Sequence, residues 1–182
     1  MRIHSEETAK IHQELHENYR RRLQALEEDD VNDEEQEEPF ERSFLHNAIL
    51  LHNLWFDQLS EPPVENESPL LKEILEQRDS DQNTFEEWMS DFAKQARPNG
   101  WAIWGWSYPQ KTFVGFPMRG YDSDIPIGIT PILVIDCWEH SYIYDFENDF
   151  DMYLVKFWRE LNWQVIENRH KELSSLMGYD IK

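Results

Sequence analysis

Large apolar side chains recur at Ile3, Ile11, Leu15, Tyr19, Leu23 and Leu26, with charged residues between them, so residues 3–26 read as a long amphipathic helix. A second helix is predicted over Phe44–Leu59, dense with Leu45, Ile49, Leu50, Leu51, Leu54, Trp55 and Phe56, and the two form an antiparallel hairpin. Three prolines within Glu61–Pro69 mark a linker, after which Leu70–Gln77 and Thr84–Ala96 read as short helices. Thr84 with Glu87 makes a capping box for the latter, and Pro98-Asn99-Gly100 stops it. The period then changes. Between Trp101 and Phe116 aromatic and β-branched residues dominate, which predicts two strands joined around Pro109-Gln110, and Ile132–Ile135 adds a third. Residues 151–177 return to a helical period, with Tyr153, Leu154, Phe157, Trp158, Leu161, Val165 and Ile166 on the apolar side. The division expected is a helical hairpin over residues 1–61 and an α/β domain over 62–182.

With 182 residues the chain can bury a core without staples. A net charge of −20 argues against a broad electrostatic grip on nucleic acid or anionic lipid, leaving at most local RNA contact. The acidic run Glu27–Glu38 reads as a solvated connection between the first two helices. The lone cysteine, Cys137, excludes an internal disulfide and cysteine-based zinc patterns, and between Asp136 and Trp138 it reads as a small buried hydrophobe. No apolar run has membrane-spanning length, and the first twenty residues are too acidic for a targeting peptide.

The chemistry concentrates at Pro131–Tyr142, where a buried-strand pattern stops on Asp136 and His140 follows four residues later. That pair could face one metal ion or form a structural ion pair, and spacing does not choose between them. Asp136-Cys137-Trp138-Glu139-His140, the later run Tyr153, Phe157-Trp158, Asn162-Trp163, the Gly100-Trp101 step and His52-Asn53-Leu54-Trp55 together resemble the iron/manganese superoxide dismutases. The resemblance implies an α+β fold, with an N-terminal helical hairpin packed on a three-stranded antiparallel sheet surrounded by helices. It also implies that His52, Asp136 and His140 sit at metal-ligand positions, Tyr19 at the active-site tyrosine and Glu139 at the dimer interface.

A gapless match of the first helix, anchored on Ile3, Tyr19 and Leu23, places Ile11 where the fourth ligand belongs and Leu15 where a supporting histidine belongs, with His12 and His16 one position round. The family's glutamine beside the metal falls at Ala48 or Gly120, and its interface tyrosine at Ile143. On that register no catalytic residue and no cofactor are expected, and His52, Asp136 and His140 are residual positions. The resemblance then implies a catalytically degenerate scaffold, similar to the superoxide-dismutase-like components of the mitochondrial small ribosomal subunit. Its partners would be ribosomal proteins and a like or related subunit in a dimer, in the mitochondrial matrix. The alternative is an active iron- or manganese-dependent superoxide dismutase.

Overall fold

The computed structural model describes residues 3–29, 39–59, 69, 72, 76, 82–124 and 126–177. Most of the expected helix at Leu70–Gln77 and most of the acidic run lie outside them. Helices α1 (Glu6–Asp29) and α2 (Pro39–Gln58) form the predicted hairpin, and α3 (Gln82–Ala96) leads into the sheet. Strands β1 (Gly100–Ser107), β2 (Thr112–Arg119) and β3 (Ile129–Asp136) follow in the order β2-β1-β3, antiparallel throughout. A single turn, Glu139–Ser141, and the short α4 (Ile143–Phe146) lead to α5 (Phe150–Glu160) and α6 (Trp163–Met177).

The central strand β1 is buried along its whole length because helices cover both faces of the sheet. Trp101 points toward α2, where its ring meets that of His52 at 5.2 Å, and Trp104 points the other way, 5.8 Å from Phe85 of α3. Alternation along a strand produces this division. Pro117 and Pro131 lie on the two outer strands, where a missing N–H costs least. Between Trp104 and Gly105 the β1–β3 pairing steps from Leu133 to Pro131, a bulge that leaves Ile132 unpaired.

Gly100 opens the sheet for a steric reason. A Cβ there would collide with the carbonyl oxygens of Met118 and Ala96, so only glycine lets α3 turn directly into β1. At the other end, the helix predicted over 151–177 is broken. Leu161 turns extended, with φ −64° and ψ 127°, the Asn162 N–H donates to the Gln58 carbonyl at 3.0 Å, and the Asn162 side chain accepts from the Gln164 N–H at 3.0 Å. Asn162 thus starts α6, and the chain bends to lay it across α2 and β3.

Candidate metal centre

β3 ends on Asp136, which is fully buried and paired with Trp101 of the central strand. Its carbonyl accepts from the Tyr153 hydroxyl at 2.7 Å, and its Oδ1 accepts from the Trp138 N–H at 3.0 Å. With one carboxylate oxygen so anchored, Oδ2 is left to face inward. The Glu139–Ser141 turn folds His140 back over it, bringing Nε2 to 3.2 Å from Oδ2. From α2, His52 approaches the same oxygen at 3.9 Å. Its Nδ1–H donates to the Ala48 carbonyl at 2.7 Å, which fixes the tautomer and leaves a lone pair on Nε2.

The fourth group is His12, not Ile11. His12 is fully buried with Nε2 at 3.3 Å from Asp136 Oδ2, whereas Ile11 is 36% exposed. The buried face of α1 carries His12, His16 and Tyr19, spaced i, i+4, i+7, and that spacing lines up on one side of a helix without any bulge. The gapless register anchored on Ile3, Tyr19 and Leu23 is therefore off by one residue at this position, about 100° of rotation. The same rotation brings His16 rather than Leu15 beside His52, ring on ring at 5.8 Å.

Local contacts at the start of α1 set its rotation. Ser5 caps the helix through its Oγ, which accepts from the Thr8 N–H at 3.2 Å, while its own N–H donates to Asp145 at 2.9 Å. His4 is tied to the Ser141 carbonyl at 2.7 Å and packs on Trp55 at 5.2 Å. The segment carrying His140 and the helix carrying His12 are thus docked directly on each other. The His12-x3-His16-x2-Tyr19 spacing was the available signal, and the apolar stripe through Ile11 and Leu15 masked it.

His12, His52, Asp136 and His140 offer one donor atom each, all within 4.8 Å of one another. Nε2 of His12 and Nε2 of His52 are buried and satisfied by no hydrogen bond, the 3.3 Å approach of His12 to Asp136 being poorly aligned. Burial pushes His12 down to about 4 and His52 down to about 3, so both imidazoles are neutral at pH 7. Burial also works to raise Asp136, but His140 and His12 outweigh it and hold the carboxyl well below the usual range. Three imidazoles converging on one carboxylate make a donor set for a first-row transition metal, and this set fits a single ion.

Gly120 turns through φ +63° as part of the loop after β2, and the next residue, Tyr121, enters the core beside the cluster. Its ring lies 5.9 Å from His52 and stacks on Trp138 at 4.9 Å.

Residues 66–169 match the family model for the C-terminal domain of iron/manganese superoxide dismutases. The chain belongs to the iron/manganese superoxide dismutase family. It is 26% identical over 127 residues to a manganese superoxide dismutase of Mycolicibacterium fortuitum and 27% identical over 127 residues to one of Mycolicibacterium smegmatis. To the corresponding enzyme of Nocardia asteroides it is 26% identical over 121 residues. The matches cover 68%, 68% and 65% of this chain and 60%, 60% and 57% of those proteins, so they span little more than half of the relatives' length. Family membership and the four-donor cluster fit iron or manganese, and no observation supports the expected absence of a cofactor.

Proposed function

We propose that this superoxide-dismutase-fold protein holds one iron or manganese ion between His12, His52, Asp136 and His140 and dismutates superoxide. The observation that carries this reading is His12, which fills the fourth donor position that the register from sequence gave to an aliphatic side chain. When bound, such an ion supplies the one-electron oxidation and reduction that dismutation alternates.

The chain's own residues supply the rest. Three imidazoles and one carboxylate bind, and Asp136, anchored through Oδ1, keeps Oδ2 directed at the three rings. Trp55, Phe56 and Trp101 wall the cluster with aromatic surface and keep bulk water from its sides. His16, stacked on His52, fixes that ring's plane. Tyr19, 5.7 Å from His52 between rings and raised by burial, carries a phenolic proton beside the site at neutral pH.

The test is metal analysis of purified protein together with superoxide decay. Close to one equivalent of iron or manganese, with decay faster than buffer, is expected. Well under one equivalent after reconstitution overturns the reading.

A second reading rests on a different observation, the net charge of −20 combined with the absence of a side-chain amide at Ala48 and Gly120. It makes the chain a scaffold in the mitochondrial small ribosomal subunit, held by protein neighbours with basic surfaces and at most locally by RNA. Glu139, exposed at the start of its turn, would then join a homo- or heterodimer with a related subunit. Co-sedimentation with small ribosomal subunits by a metal-free protein supports this reading, and an active protein that stays in the supernatant refutes it.

A further inference from the structure

Tyr121 has a buried hydroxyl that no hydrogen bond satisfies. An unpaired buried hydroxyl is costly, so a group retained in this state normally has a partner that comes and goes. The ring is held from several sides: Trp138 stacks on it at 4.9 Å, Phe44 meets it edge-on at 4.8 Å, and Tyr19 and Trp101 lie at 5.8 and 6.0 Å. Its backbone is held too, the carbonyl accepting from the Asn47 side chain at 2.7 Å. A side chain fixed this firmly cannot swing out to find water. Its polar neighbours are the Tyr19 hydroxyl and the indole N–H of Trp101, which is also buried without a partner. Groups from three elements thus gather beside the His52 edge of the cluster, and the Tyr121 hydroxyl forms no hydrogen bond of good geometry with any described residue, the Tyr19 hydroxyl included.

We propose that the Tyr121 hydroxyl donates a hydrogen bond to the small oxygen anion taken at the four-donor cluster. Tyr121 does so from the loop after β2, in a site where Ala48 provides no amide for the task. This rests on the metal-holding reading above. A phenol suits the role because it offers one directional O–H on a rigid ring.

The experiment compares the wild type with Tyr121→Phe, both reconstituted with manganese, and titrates each with azide as a small-anion probe by calorimetry, alongside metal analysis and thermal unfolding. Tyr121→Phe is expected to keep its manganese and its unfolding temperature while azide affinity falls about 10- to 150-fold, the loss of one hydrogen bond to a charged partner. Equal azide affinity in the two proteins overturns the inference and leaves the metal reading standing. Loss of manganese or a lowered unfolding temperature in Tyr121→Phe shows that the residue holds the cluster or the core together, and likewise overturns it. A wild type that takes up no manganese removes both the reading and the inference.

Discussion

Replacing His12 and, separately, Ile11 with alanine puts the rotation of α1 to a direct test. His12 provides one of four donors, and its ring is fully buried against Trp55 at 4.6 Å and Phe56 at 5.0 Å. Loss of a residue that merely supports a ligand weakens metal binding about 10- to 100-fold, so loss of a ligand itself is expected to cost at least about 100-fold, or roughly 3 kcal/mol. Emptying the imidazole's space should also destabilise the metal-free fold by about 2–4 kcal/mol, as other deletions from close-packed interiors do. Ile11 is 36% exposed, and Ile11→Ala should change stability by less than about 1 kcal/mol and metal affinity not at all. Competition with a chelator of known affinity measures the first quantity, and urea unfolding of the metal-free proteins the second. If Ile11→Ala releases the metal while His12→Ala retains it, α1 is rotated the other way and the centre described here is wrong.

Four other outcomes follow from the same geometry. Asp136→Asn removes the only carboxylate among the donors and should abolish stoichiometric metal binding, read by elemental analysis. Between pH 6.5 and 4 the unfolded chain protonates His12 while the metal-free fold keeps it neutral, so that form should lose stability as pH falls through this window. The drop from 6.5 to about 4 corresponds to about 3 kcal/mol from His12 alone, measurable by urea titrations at several pH values, and a flat profile contradicts the buried neutral state. Gly100→Ala forces a Cβ against two carbonyl oxygens and should cost about 1–3 kcal/mol, seen as a lowered thermal midpoint. If the proposed dimer forms through Glu139, which is exposed in the single subunit, Glu139→Ala should shift it toward monomer in light scattering without unfolding the chain, and an unchanged mass contradicts that interface.

Periodicity by itself determined the order of helices and strands. The switch from a helical to an alternating pattern at Trp101 and the glycine and prolines around it are local properties of the chain, and the three strands formed where those signals stood. The grouping of His52, Asp136 and His140 was legible for a related reason, since two of the three belong to one short strand-and-turn segment. The break at Leu161-Asn162 was not legible. It depends on the Gln58 carbonyl of α2, more than a hundred residues away in sequence, capturing the Asn162 N–H.

The rotation of α1 was the other feature that only the tertiary structure decided. Its sequence offers two faces one residue apart, an aliphatic one through Ile11 and Leu15 and a polar one through His12, His16 and Tyr19, and ordinary burial rules favour the first. Docking of His4 and Ser5 onto Ser141 and Asp145 selects the second, because those contacts fix the helix at its start and every residue beyond follows in steps of 100°. A buried carboxylate at Asp136 then gives the inward histidines a counterpart that leucines could not provide. Helical spacing says which side chains travel together, and only contacts between distant segments say which way they face.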